Sequence, residues 1–340
     1  MKIKKDTFCF GISIFVIFVL AILCAIPQPQ AAPYYQGKTI TFIVGFAPGG
    51  AYDRNTRLLA RYLPKYIPGE PALIVQNMPG GSSMIAANHV FRVSKPDGLT
   101  IGSINQGLQI AQLMKVEEMT FDLRKFAWIG STGSDTNIFC IRSDLPYRTF
   151  EEFRKANRKT FISSGGPMTN SFQFVALAKE YARLNIEIIT YTNMADALLA
   201  VERKETEGTA GTYGILGPLV ERGVLRPLLR GRNSEPDIDH LPVDEDAALE
   251  PIGKKIMAMR SAADTVGKPY VAPPGTPPEA MTILRNAFIG VLKDPQFLAD
   301  AKRNMLPVNY LSPEECIKAM NFLLNQPEDV VREFKKYIKY

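Results

Sequence analysis

The residues best suited to hold a ligand lie in five short turns rich in glycine and hydroxyl side chains. The first is Phe46-Ala47-Pro48-Gly49-Gly50-Ala51-Tyr52-Asp53. Its glycines let the backbone bend and bring amide groups close to a bound molecule. A helix starting there adds partial positive charge, so the turn suits an anion. Gly50 is the position where a positive φ and a near ligand are expected. Gly45 and Gly50 have the spacing of a P-loop, but Ala51-Tyr52 stands where Lys followed by Ser or Thr is required. That argues against a nucleoside triphosphate. Asp53 is expected to cap the helix and shape the turn rather than carry out chemistry itself.

The second turn, Asn77-Met78-Pro79-Gly80-Gly81-Ser82-Ser83, again joins a strand to a helix, with two glycines and two hydroxyls. The third is Ser163-Ser164-Gly165-Gly166-Pro167-Met168-Thr169-Asn170, the fourth Tyr191-Thr192-Asn193-Met194-Ala195-Asp196 and the fifth Ala210-Gly211-Thr212-Tyr213-Gly214. All five offer hydrogen-bond donors. None places a general base beside a nucleophile. The chain has no GxSxG, CxxC or HExxH, and its two histidines, His89 and His240, are far apart. No metal site and no cofactor are expected.

These turns need rigid elements to carry them, and the pattern supplies strand and helix in alternation. Strands are expected at Lys38–Gly45, Ala72–Gln76, Thr100–Ile104 and Phe126–Ser131, then at Asn137–Arg142, Thr160–Ser163, Glu187–Tyr191, Glu207–Gly211 and Leu225–Arg230. Lys38–Gly45 is apolar on both faces, as a buried parallel strand should be. Helices are expected around Leu58–Tyr66, broken near Pro64, and at Met84–Val93, Phe150–Asn157, Ser171–Leu184 and Ala195–Lys204. Asn233–Asp246 reads as loop, Lys254–Met259 as a strand leading back, and Pro278–Lys336 as helical. Repeated βα units imply parallel sheets covered by helices, with ligands at the carboxyl ends of the strands. The fold class is therefore α/β, in two lobes.

A chain of 340 residues with 46% hydrophobic and 22% charged residues can build two such cores. The formal charge of +6 falls to +4 without Lys2, Lys4, Lys5 and Asp6, too little to suggest nucleic acid. Residues 1–32 have the layout of a signal peptide: a basic start, an apolar run from Phe8 to Ile26, and a small-residue exit at Ala31-Ala32. The run is long enough to serve as an uncleaved anchor instead. Cys24 is a poor lipid attachment point because bulky Leu23 precedes it. The body is expected outside the cytoplasmic membrane, in the periplasm, with Cys140 and Cys316 as buried thiols.

Five motifs in order make the sequence resemble the substrate-binding proteins of tripartite tricarboxylate transporters, the Bug family. They are Pro48–Asp53 (P-x-G-G-x-x-D), Val75–Ser82, Pro96–Thr100, Ser163–Gly166 and Pro273–Pro277. The chain departs from the family pattern at Gly81-Ser82, in the shifted loop after Ser163, and at Thr192-Asn193, where a glycine is missing. The resemblance implies a periplasmic-binding-protein-like fold with a hinge and an interlobe cleft. Lobe one would be 34–135 plus 256–340, lobe two 136–255, with crossings near Gly133–Thr136 and Met257–Ser261. It implies a monomer that captures a small carboxylate and delivers it to multipass membrane permease subunits. With the turns, it puts ligand contacts at Pro48, Gly49, Gly50, Ala51, Asp53, Gly81, Ser82, Ser164, Gly165, Thr169, Thr192, Gly211 and Thr212. A ligand-sensing subunit for a membrane signalling partner, or an enzyme on the same architecture, is the alternative.

Overall fold

The computed structural model describes residues 32–338 apart from 167, 168, 193 and 305; the expected export segment and Cys24 lie outside them. The strands are β1 (Thr39–Val44), β2 (Ala72–Asn77), β3 (Thr100–Ser103), β4 (Ala127–Ser131), β5 (Asn137–Arg142), β6 (Thr160–Ser164), β7 (Ile186–Thr190), β8 (Gly208–Thr212), β9 (Leu225–Arg230) and β10 (Pro269–Ala272). The helices of the first half are α1 (Ala51–Tyr62), α2 (Met84–Arg92), α3 (Leu108–Met114), α4 (Phe150–Ala156) and α5 (Asn170–Tyr181). Then come α6 (Met194–Glu202), α7 (Tyr213–Glu221), α8 (Asp244–Ala247), α9 (Pro251–Thr265), α10 (Pro278–Leu292), α11 (Pro295–Arg303), α12 (Pro313–Leu324) and α13 (Glu328–Tyr337).

The strands form two five-stranded sheets, ordered β2-β1-β3-β10-β4 and β7-β6-β8-β5-β9. In the first, β1 pairs in parallel with β2 and β3, while β10 runs antiparallel between β3 and β4. In the second, β6 is parallel to β7 and β8, and β5 runs antiparallel between β8 and β9. Each sheet thus has one reversed strand in fourth place, and each reversed strand arrives by a crossing from the other sheet. The crossings are residues 132–136 and 266–268.

Alternate side chains of the central strands feed opposite faces, as sheets covered on both sides require. Ile40 and Phe42 pack with Leu58, Leu59, Leu284 and Phe288, whereas Ile43 packs with Ala86, Val90 and Met320. On β5, Phe139 and Ile141 join one cluster and Ile138 and Cys140 the other. Cys140 and Cys316 are free buried thiols in separate cores.

Lys254–Met259 is not a strand. It lies inside α9, whose residues Ile256 to Asp264 are all buried. A helix buried all round has no amphipathic stripe, so its short apolar run mimics a strand. The strand that leads back is β10, only four residues long. The crossing expected at Met257–Ser261 accordingly falls within α9, and the chain re-enters the first sheet just after it. The last helix, grouped above with the first lobe, sets Val330 and Phe334, with Ile338 beyond it, in the cluster around the second sheet, beside Ile110 and Leu113 of α3. Helices α3, α9, α12 and α13 therefore form a layer shared by both sheets.

The crossings pack tightly. Gly267 has a φ of +33°, and a Cβ there would stand 2.0 Å from the Gly133 carbonyl oxygen. Gly267→Ala is expected to cost about 2–3 kcal/mol in urea unfolding, because backbone must move on both sides. Gly214→Ala, in open space at the start of α7, should stay within about 1 kcal/mol of the parent. Equal stability of the two variants would contradict this packing.

Candidate functional site

Helix α1 begins at an exposed turn. Its N-cap is Gly50, and no side chain caps it. The first amides of a helix have no partner inside it, so they face outward from Gly50-Ala51. The left-handed residue of this turn is Gly49, with a φ of +83°, not Gly50, whose φ is −71°. A Cβ on Gly50 would find its nearest neighbour, the Ala47 carbonyl oxygen, at 3.6 Å. Pro48, Gly49, Gly50 and Ala51 are exposed, whereas Asp53 is buried.

Asp53 shapes the turn from the third helical position rather than as N-cap. Its carboxylate accepts from the Gly49 amide at 2.8 Å, Arg57 Nε at 2.9 Å and Asn77 Nδ2 at 2.8 Å. Asn77 Nδ2 also donates to the Phe46 carbonyl at 2.9 Å. One carboxylate thus ties the turn, the helix and β2 together. Burial opposes its ionisation, but the bonds from Arg57, Gly49 and Asn77 outweigh burial and hold the carboxyl below the usual range.

The second turn is strained. Gly80, Gly81, Ser82 and Ser83 have φ of 131°, 52°, 50° and 80°. Serines in this region are held at a cost of order 1–3 kcal/mol each, a feature that clusters at ligand sites. Buried Ser83 accepts from the Asn105 amide through Oγ at 3.2 Å. A Cβ on Gly45 would lie 1.8 Å from that Oγ, so glycine makes room for the serine. Gly81 and Ser82 are exposed and line a hollow of 400 Å³ with Ile85, Asn88 and Glu118.

The candidates of the second sheet divide by burial. Ser164, Gly165 and Gly211 are buried. Ser164 Oγ donates to Ser171 Oγ at 3.1 Å, and the Gly165 amide donates to it at 3.3 Å. Thr169 caps α5 by accepting from the Phe172 amide at 3.3 Å. A Cβ on Gly211 would meet Met194 Cε at 2.7 Å. These residues build the turns. Thr192 is exposed and lines a separate hollow of 330 Å³ with Tyr191 and Asp196. Neither hollow includes a candidate from the other sheet. Half-exposed Thr212 is the N-cap of α7, again without a side-chain cap.

What brings the two sets of turns together is the pair of crossings. From the first sheet, Tyr52 Oη donates to the Gly267 carbonyl at 2.9 Å and accepts from the Gln106 amide at 3.2 Å. Gln106 Nε2 donates to Asp135 Oδ2 at 2.9 Å, and Lys268 Nζ reaches Asp135 Oδ1 at 3.2 Å. From the second sheet, the Tyr213 amide donates to the Thr136 carbonyl at 2.7 Å, and Asn170 Nδ2 donates to Asp264 Oδ1 at 3.2 Å. Beneath them Arg260 bonds Asp264 at 2.6 Å and Asp244 at 3.3 Å, with all three buried. Burial pushes both carboxyls up to about 6, against the pull of Arg260. Arg260 lies 4.7 Å from the centre of the Phe174 ring.

Sequence reasoning did not single out Gln106, Asp135, Asn170 or Lys268. Asp135 and Lys268 stand 133 positions apart and carry no local motif. Among the described residues no group of three or more His, Cys, Asp or Glu could hold a metal ion.

Two α/β sheets joined by a double crossing have the two-lobed fold of the periplasmic binding proteins. Residues 57–334 match the family described as the tripartite tricarboxylate transporter family receptor, and the chain belongs to that family. A Cupriavidus necator protein described as "UPF0065 protein in gbd 5'region" is 25% identical over 293 residues, 84% of each chain. The crystal structure of a TctC solute binding protein from Polaromonas superposes with a TM-score of 0.72 at 20% identity, over 88% of this chain and 99% of that one. R. palustris Rpa4515 with adipate superposes with a TM-score of 0.61 at 21% identity, over 88% and 97%.

Because the folded Asp53 carboxyl titrates below its unfolded value, its contribution is complete above about pH 4 and is lost as pH falls through the folded value. Asp53→Ala is expected to cost about 2 kcal/mol at pH 7, allowing for the half-exposed Arg57 partner. The gap between variant and parent should shrink toward pH 2.5 in urea titrations. A gap independent of pH would remove the ionised carboxylate from this account. Asp244 and Asp264 act with the opposite sign, through about pH 6, and are common to both proteins.

Proposed function

We propose that this protein captures a small dicarboxylate in the cleft between the two sheets and delivers it to multipass membrane subunits of a tripartite transporter. The observation that carries this reading is the uncapped start of α1, exposed at Gly49-Gly50-Ala51 and held in place by buried Asp53. A second uncapped helix start, Thr212 before α7, comes from the other sheet. Each is tied to a crossing, through Tyr52 to Gly267 and through the Tyr213 amide to Thr136. Two anion-seeking helix starts facing one hinge suit a ligand with a carboxylate at each end. The adipate carried by Rpa4515 is such a ligand.

On this reading Pro48, Gly49, Gly50, Ala51, Gly81, Ser82, Thr192 and Thr212 meet the ligand. Asp53, Ser164, Gly165, Thr169 and Gly211 frame the turns. Capture, not catalysis, is the role of such donors. The protein acts as a monomer in the periplasm, exported by its N-terminal segment. Among the described residues no helix is long and apolar enough to cross a membrane.

A thermal-shift and calorimetric screen of dicarboxylates, adipate first, tests the ligand class; a ligand at 100 times its Kd should add about 2.7 kcal/mol of stability. Gly50→Val should weaken binding about tenfold or more, since it adds bulk at the helix start. Its stability should change by less than about 1 kcal/mol, because the backbone there is extended and uncrowded. Equal losses of affinity and stability would return Gly50 to a structural role. Ligand contacts to both lobes favour the closed form, so saturation should reduce the radius of gyration in small-angle scattering. An unchanged profile would remove Thr192 and Thr212 from the site before Gly49 and Gly50.

A further inference from the structure

A cavity of 540 Å³ lies away from the five turns, at the seam between the end of α3 and the helices α12 and α13. Four cations line it, Lys115, Arg124, Arg332 and Lys335, against a single carboxylate, Glu328. Among the described residues, none of the four stands within 4.0 Å of a carboxylate oxygen. Glu328 precedes Arg332 by one helical turn, the spacing and orientation that favour pairing, yet the two are not paired. Arg332 and Lys335 share one face of α13 three positions apart, where like charges repel. Nearby on the same helix the opposite arrangement holds, with Lys336 bonded to Glu333 at 2.6 Å.

Arg124 is already positioned. Its guanidinium donates to Asn325 Oδ1 at 2.9 Å, which fixes it beside the end of α12. Lys115 sits at the end of α3 in a left-handed cap conformation. The cavity thus has cations on walls from both sides of the shared layer, an apolar floor including Leu113 and Val331, and a volume suited to a small molecule. Glu328 within the cavity, and Glu333 acting on Arg332 from the same helix, offset these charges only in part.

We infer that this cavity is a second anion site, independent of the interlobe cleft, that takes a compact polyanion of the pyrophosphate or tricarboxylate kind. Charge-assisted bonds from guanidinium and ammonium groups would hold it. Bound there, it would neutralise the seam and stabilise the fold by mass action. The inference does not rest on the dicarboxylate reading of the cleft.

Isothermal titration of the purified protein with inorganic pyrophosphate, and separately with citrate, tests it at low and moderate salt. Binding is expected in at least one arm and should weaken with added NaCl. Arg332→Gln with Lys335→Gln should weaken that arm about tenfold, the loss of two exposed ion pairs. Lys302→Gln, at an exposed position outside the cavity, should leave it within twofold. The arm that falls in the double variant identifies the ligand chemistry. The double variant should unfold in urea at or above the parent midpoint without anion, which shows that it folds. Absence of binding in both arms, or binding that the double substitution does not weaken, would overturn the site.

Discussion

One reversed strand in each sheet organises this molecule. Because β5 and β10 run against their neighbours, their starting ends lie beside the carboxyl ends of the parallel strands. The crossings that feed them must therefore emerge on the same edge as the βα turns. The turns that open α1 and α7 are thereby tied to the crossings, through Tyr52 to Gly267 and through the Tyr213 amide to Thr136. Had the fourth strands been parallel, the crossings would have entered at the far edge. The contact between Gly267 and Gly133 is the tightest expression of this constraint, two backbones meeting where no side chain fits.

The edge so formed is kept short of internal hydrogen bonds at chosen places. Helices α1 and α7 begin without side-chain caps, and two serines are held in left-handed conformations. Such features persist only where the surroundings over-determine them. Asp53 does this for the first turn with bonds to three segments, and Asn105 does it for the second by engaging Ser82 and Ser83. Under the hinge, Arg260 balances Asp244 and Asp264 in a buried network backed by the Phe174 ring. A buried charge set of this kind is costly to disturb singly and so fixes geometry.

The helical layer of α3, α9, α12 and α13 gives the two sheets a common flank. Its members place side chains in the core of the second sheet, and α12 also covers the first. Relative motion of the lobes must then work through the crossings and this layer together.

Much of the fold was legible from local pattern. The β-branched and apolar runs marked β1, β2, β5 and β9 within about a residue of their ends, and Met84–Val93 marked α2. The glycine-rich turns between strand and helix marked where a ligand could sit, because that chemistry is carried by neighbouring residues. Local pattern failed where burial or brevity erased it: α9 is buried on every face from Ile256 to Asp264, and β10 is four residues long. It misplaced the left-handed glycine by one position, since two adjacent glycines look alike until the Asp53 carboxylate selects one amide. It was blind to Tyr52 on Gly267 and to Asp135 with Lys268, pairs 215 and 133 positions apart. Sequence by itself determined the alternation of elements, the two-lobed class and the donor-rich turns, because these follow from short-range periodicity and backbone freedom. Only the tertiary structure decided which of those residues face outward and which hinge groups stand beside them, because that depends on strand direction and on contacts between distant segments.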